Sequence, residues 1–152
     1  MALPAPTLPR RPQRSRSRLH LPSLGLRAAS SDDLIRQVQH GFSFHALQTL
    51  ASQSGIAVPE LAAVLGIPVR TLARRKAVKK LTWEESERLL RLATVFEGAV
   101  ELFEGDVRQA VNWLNAPRKA LSGQSPLNYS RTELGAREVV NLMGRLEHGI
   151  FS

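Results

Sequence analysis

The sequence predicts an all-α protein built from two helical units. From Ser31 onward, apolar residues recur at spacings of three and four, which is typical of amphipathic helices. Residues that start and end helices interrupt this pattern several times. No segment alternates apolar and polar residues for long enough to predict a β-sheet.

The composition limits the class of protein. The 152 residues, 43% of them hydrophobic, suffice for one core or for two small units that share a core. No cysteine is present, no apolar run approaches the roughly 18 residues that cross a bilayer, and the N-terminus lacks the apolar core of a secretory signal. We therefore expect a cytoplasmic protein that does not enter a membrane.

Positive charge is concentrated in two segments and favours an anionic partner. The formal net charge is +8, residues 1–30 hold six arginines and no acidic residue, and six of the fifteen other lysines and arginines lie between residues 70 and 80. Residues 1–30 also hold five of the nine prolines, which argue against an amphipathic targeting helix. We predict a flexible basic arm here, either a solvated tail or a segment that contacts DNA phosphates.

Two helices are predicted between the arm and residue 54. Ser30 to Asp33 offer hydroxyl and carboxylate acceptors for the first helix start, and Gly41 follows its short apolar face. The second helix runs from near Ser43 and stops at Gly55. The apolar faces consist of Leu34, Ile35 and Val38 in the first helix and Phe44, Leu47, Leu50 and Ala51 in the second.

The stretch from residue 58 to residue 80 has the pattern of a helix-turn-helix. Pro59 fits the first turn of a helix, and Gly66 ends that helix. Small Ala62 lets two helices approach each other, and Ile67 fills the corner between them. A second short helix with a basic outer face follows, running to about Lys76.

This second helix carries the candidate DNA contacts. Arg70 and Arg74 lie one turn apart, and an arginine in the major groove donates two hydrogen bonds to guanine. Thr71 is a candidate contact for a phosphate or a thymine methyl group. The basic residues that follow are predicted phosphate contacts, which hold register without reading sequence: Arg75, Lys76, Lys79 and Lys80. The alternative is a solvated basic face.

Three more helices are predicted in the C-terminal half. Thr82 and Glu85 form a capping box, which opens a long helix that runs to about Glu104. Asp106 caps a helix that Pro117 ends, and a final helix covers residues 133–148. The buried stripes are Leu89, Leu92, Ala93, Phe96 and Val100 in the long helix, and Val139, Leu142, Met143 and Leu146 in the last.

Residues 42–95 resemble the Xre-type repressor domains of the phage-repressor class, through Glu60–Ile67 followed by Thr71–Arg74. Pro68 stands where such domains often have a capping serine or threonine. The C-terminal third resembles the toxin-binding domain of the Xre/MbcA/ParS antitoxins. The matching pieces, in the family's order, are Trp113–Pro117, Leu121–Leu127, Thr132–Val139 and Leu142–Ile150, whereas Tyr129-Ser130-Arg131 depart from the pattern.

Composition and resemblance together predict three parts: a flexible basic, proline-rich arm (1–30), a helix-turn-helix domain (31–95) and a toxin-binding and dimerisation domain (96–152). The resemblance further implies a homodimeric antitoxin that covers the active site of a RES-domain toxin, an NAD-consuming enzyme, and represses its own operon by binding operator DNA. The candidate toxin contacts are Arg137, Arg145, His148, Gly149, Ile150, Phe151 and Ser152.

No other chemistry is indicated. The chain has neither a phosphate-binding Gly-x-x-x-x-Gly-Lys loop nor a nucleophile elbow, and its four histidines (His20, His40, His45 and His148) lack metal-ligand spacing. We expect no enzyme activity, cofactor or small-molecule substrate. Two alternatives to an antitoxin stay open: a stand-alone dimeric transcriptional regulator, and an interaction protein with a vestigial DNA-binding domain.

Overall fold

The computed structural model describes residues 2–4 and 19–149, and in this part of the chain a short β-hairpin precedes eight α-helices. The all-α prediction is confirmed. The elements are β1 (Leu19–Leu21), β2 (Leu26–Ala28), α1 (Ser31–His40), α2 (Phe44–Ser54), α3 (Val58–Val64), α4 (Val69–Val78), α5 (Trp83–Leu102), α6 (Val107–Asn115), α7 (Pro126–Tyr129) and α8 (Glu133–Glu147), with 3₁₀ turns at Pro22–Leu24 and Lys119–Leu121.

The hairpin corrects the prediction of a flexible arm, which was wrong for residues 19–30. β1 and β2 pair antiparallel, and the turn between them buries Leu24 in the core at 2% exposure. The backbone N–H and the hydroxyl of Ser23 both donate to Oε1 of Glu97, at 3.1 and 2.5 Å. This part of the arm is rich in leucine, and so it has apolar surface to bury. Residues 5–18 of the predicted arm lie outside the described residues.

The helix boundaries follow local capping chemistry, largely as predicted. The side chains of Ser30, Thr82 and Asp106 accept hydrogen bonds from the third residue of α1, α5 and α6 respectively. Thr82 and Glu85 form the complete capping box. α5 ends at Leu102, two residues before the predicted Glu104, because the backbone turns at Glu104 and Gly105, which both have positive φ.

The long helix α5 is common to both predicted units. Its buried face contributes Leu89, Ala93, Phe96 and Ala99 to one apolar cluster that extends from Leu24 of the hairpin through α2 and α3 to α6 and α8. The predicted boundary between residues 95 and 96 falls inside α5. The two units therefore share a core and are joined by a continuous helix.

The last helix packs closely against its neighbours through two glycines. Gly98 of α5 faces Met143 of α8, and a Cβ at Gly98 would lie 2.9 Å from the Met143 Cε. A Cβ at Gly135 would overlap the backbone carbonyl oxygen of Tyr129. At Gly144, by contrast, a Cβ would meet nothing within 4 Å.

No helix in the described part of the chain has both the length and the apolar run needed to span a bilayer.

Candidate DNA and partner interfaces

The helix-turn-helix is built by α3 and α4 around a tight glycine turn. Gly66 has φ +71°, and the N–H of Ile67 donates to the carbonyl of Ala62 at 2.8 Å. Ala62 and Ile67 are buried at 1% and 4% exposure, which agrees with their predicted roles. Pro68 is the N-cap of α4 and makes no side-chain cap, yet the helix still starts at Val69.

The outer surface of α4 displays cationic side chains. Arg70, Arg74 and Lys76 are exposed, whereas Thr71 is partly buried, and α4 contains no acidic residue. Val69 at the first position of α4 is 83% exposed, an apolar residue that the sequence interpretation did not assign to the site. No acidic residue of α4 neutralises its arginines, so this surface can bind a polyanion.

Arg75 differs from the other basic residues because it is held by the protein. Its Nε lies 2.7 Å from Oε1 of Glu85, which also accepts the N–H of Thr82 at 2.9 Å. Burial alone would raise the pKa of Glu85, but the Thr82 amide and the Arg75 guanidinium outweigh it and hold the pKa below its ordinary value. The Nε of Arg75 is thus already bonded to Glu85, which positions this side chain against α5, and its contact with a phosphate stays a prediction.

Lys79 and Lys80 are fixed at the end of α4 by the chain between α1 and α2. Lys79 ends the helix in the left-handed region at φ +62°, and its carbonyl accepts the N–H of Phe44 at 3.1 Å. Lys80 pairs with Ser43 in a β-bridge. Both lysines are exposed, so they extend the cationic surface of α4 from a rigid support.

The candidate toxin contacts spread over the exposed side of α8 and its C-terminal end. Arg137 is exposed and forms only a weak surface ion pair with Glu133 at 3.2 Å. Arg145 is partly buried, and its Nε has no hydrogen-bond partner among the described residues. His148 and Gly149 are exposed, whereas Ile150, Phe151 and Ser152 lie outside the described residues.

Two apolar residues on the same helix were missed by the sequence interpretation. Leu134 is 68% exposed and Val140 is 42% exposed. Both lie off the buried stripe of α8, and an apolar residue off the stripe was the signal that could have identified them. A concavity of about 400 Å³ adjoins Leu134, lined also by Gln124, Asn128, Tyr129, Arg131 and Thr132.

Two arginines tie the helix-turn-helix to the rest of the molecule. Nη2 of Arg131 donates to the carbonyl of Ala63 at 3.1 Å, and Nη1 of Arg88 donates to that of Leu65 at 3.2 Å. Both carbonyls lie at the C-terminal end of α3, where a cation is electrostatically favoured. Arg131 thus has a structural contact in this chain at a position where the sequence departs from the family pattern.

These features define a class: a helix-turn-helix protein whose second helical unit exposes apolar side chains together with charged side chains of both signs. Residues 33–93 match the antitoxin Xre-like helix-turn-helix domain, and residues 98–149 match the antitoxin Xre/MbcA/ParS C-terminal toxin-binding domain. Both parts of the predicted resemblance are confirmed.

Curated relatives share most of the chain. An antitoxin Xre from Yersinia enterocolitica is 40% identical over 130 residues, covering 85% of this chain and 88% of that protein. An antitoxin Xre from Photorhabdus laumondii is 33% identical over 131 residues, covering 86% and 88%. One from Pseudomonas putida is 33% identical over 84 residues, covering 55% and 52%. The chain therefore belongs to the Xre antitoxin family, with a helix-turn-helix DNA-binding domain and a toxin-binding domain.

Proposed function

We propose that this antitoxin neutralises a RES-domain, NAD-consuming toxin and represses its own operon. The single observation that carries the proposal is the match of residues 98–149 to a toxin-binding domain, joined through α5 to a helix-turn-helix. The exposed residues Leu134, Arg137 and Val140 on α8 support a partner surface there. The choice of a RES-domain toxin as the partner rests on the resemblance of the C-terminal third to the toxin-binding domain of the Xre/MbcA/ParS antitoxins.

Neutralisation is tested on the toxin of the adjacent reading frame. The purified toxin should consume NAD in the absence of this protein. Its NAD consumption should stop when the full chain is added in equimolar amount. A chain that lacks residues 148–152 should retain its helicity, since the stripe Val139, Leu142 and Met143 is intact, but should leave residual activity. NAD consumption that the full chain does not change would contradict the proposal and leave a stand-alone regulator.

Operon repression requires binding to DNA upstream of the gene. We propose that Arg70 and Arg74 contact bases, with Thr71, Lys76, Lys79 and Lys80 at phosphates, because these side chains share the surface of α4 and its C-terminal end. Gel retardation with the upstream duplex, against a shuffled duplex of equal length, tests this. Equal retardation of the two duplexes would contradict sequence-specific repression.

We further propose a homodimer, because one helix-turn-helix reads few base pairs and symmetric pairing on a palindrome doubles them. The proposed interface lies in residues 96–150, where Val140 is exposed. A second apolar surface is the groove between α1 and α5, where Ile35 and Trp83 are half exposed. This groove is the alternative dimer interface against which the proposed one is tested. Light scattering at micromolar concentration should show a dimer that Val140→Ser weakens; a monomer, or weakening by Trp83→Ser alone, would contradict the assignment.

A further inference from the structure

Val69 is an apolar side chain on a cationic surface. It is the first residue of α4, it is 83% exposed, and the exposed residues Pro68 and Arg70 flank it. An isolated exposed valine needs no special explanation on most surfaces. Val69, however, lies at the end of the recognition helix whose residues contact base edges when a helix-turn-helix docks in the major groove.

The residues one turn further along repeat the same chemistry. Ala73 follows Val69 by four residues, and Arg74 follows Arg70 by four residues, and Ala73, Arg70 and Arg74 are all exposed. The face of α4 is therefore an apolar row beside a guanidinium row. Since α4 carries no acidic residue, its charge favours a polyanion over an apolar peptide as the occupant of this face.

The major groove displays only one apolar group, the C5 methyl of thymine. Arginine prefers O6 and N7 of guanine in the same groove. We propose that Val69 is a specificity-determining residue that contacts the methyl group of a thymine next to the guanine contacted by Arg70. This inference rests on the proposed DNA binding and adds a base preference to it.

The test removes the methyl group from the DNA and the valine from the protein. Duplexes that the full-length protein prefers are selected from a random library, and each thymine of the preferred sequence is then replaced by deoxyuridine, which lacks only the methyl. One replacement per half-site should weaken binding by about 3- to 10-fold. Val69→Ala should weaken binding to the thymine duplex by a similar factor. The Val69→Ala variant should bind the thymine duplex and the deoxyuridine duplex with the same affinity.

Val78→Ala is the matched control. Val78 is the last residue of α4 and is 62% exposed, so its truncation removes the same atoms at the opposite end of the helix. This variant should bind like the wild type and keep its sensitivity to deoxyuridine. The circular dichroism of both variants should match that of the wild type, because neither valine belongs to the buried core.

The outcomes separate this inference from the proposed function. A library that yields no preferred sequence would overturn specific DNA binding and the role of Val69 together. A preferred sequence on which no deoxyuridine replacement matters would overturn only the role of Val69. The same holds if Val69→Ala weakens binding to the thymine and the deoxyuridine duplex by equal factors, because the methyl group and the side chain would then act independently.

Discussion

The Nε of Arg75 and the Oε1 of Glu85 lie 2.7 Å apart, so an ion pair joins the recognition helix α4 to the first turn of α5. The side chain of Glu85 is 8% exposed, and that of Arg75 is 20% exposed. Removal of one partner from such a pair leaves the other charge poorly solvated. The placement of α4 on the bundle thus depends on a residue of the helix that also carries the toxin-binding unit.

Glu85→Gln should lower the free energy of unfolding by about 1–3 kcal/mol, because the amide leaves the Arg75 guanidinium without its counter-charge. Urea denaturation measures the change. Glu84→Gln, at an exposed neighbouring position, is the control and should change stability by less than about 0.5 kcal/mol. Equal effects of the two variants would show that the ion pair contributes no stability.

The same carboxylate predicts a dependence of stability on pH. The pKa of Glu85 is held below its ordinary value of 4.5. A carboxyl with a depressed folded-state pKa stabilises the fold above its unfolded-state pKa, and this stability is lost as the pH falls through the folded-state pKa. Between about pH 6 and about pH 3 the wild type should therefore lose more stability than Glu85→Gln. Parallel melting-temperature profiles would argue against a depressed pKa.

The cationic residues of α4 should divide into two groups in DNA-binding titrations. Arg70→Ala or Arg74→Ala should cost about 1–3 kcal/mol of specific affinity and little on random DNA. Lys79→Asn with Lys80→Gln should weaken binding to all DNA and flatten its salt dependence. Asparagine is chosen at position 79 because it tolerates the left-handed backbone there. Identical behaviour of the two groups on both kinds of DNA would contradict this division.

Two glycines of α8 should respond oppositely to the same substitution. Gly135→Ala places a methyl group on the carbonyl of Tyr129 and should destabilise the protein by about 1–3 kcal/mol, since the α7–α8 junction must open. Gly144→Ala meets open space inside a helix and should stabilise it by up to about 1 kcal/mol. Thermal unfolding of both variants is the measurement, and a shift of the same sign in both would contradict the close approach at Gly135.

Leu134 of α8 should contribute to toxin binding without contributing to folding. Leu134→Ser should weaken the affinity for the toxin by at least about tenfold if Leu134 becomes buried in the complex, while the melting temperature stays unchanged. Gln109→Ala, at an exposed position on α6, is the control. Calorimetric titration with the toxin measures both. An unaltered affinity for Leu134→Ser would place the toxin on another surface.

Features that depend on near neighbours in the chain were predictable from sequence. The caps at Ser30 and Asp106 and the turn at Gly66 follow from residue types at fixed short spacings, and the structure has them at those positions. Contacts between distant residues were not predictable. No sequence pattern predicts the hydrogen bond from Arg131 to the carbonyl of Ala63, which is 68 residues away. The same is true of the hydrogen bond from Ser23 to Glu97.

Short elements were missed for a related reason. α7 has four residues, too few for a helical period, and each strand of the hairpin has three, too few for an alternating one. Arg75 shows the corresponding limit within the site. Its charge and spacing match its basic neighbours, and only the folded position of Glu85 distinguishes it.

The continuity of α5 has a geometric consequence for the assembled complex. Its 20 residues span about 30 Å, and no hinge separates the part packed on the DNA-reading unit from the part packed on α8. Under the proposed function, a toxin held by α8 would stand at a constant distance and angle from the bound DNA. Its bulk would then be a fixed obstacle beside the bound half-site, and the spacing between neighbouring half-sites would set how many toxin-bound antitoxins one promoter can hold.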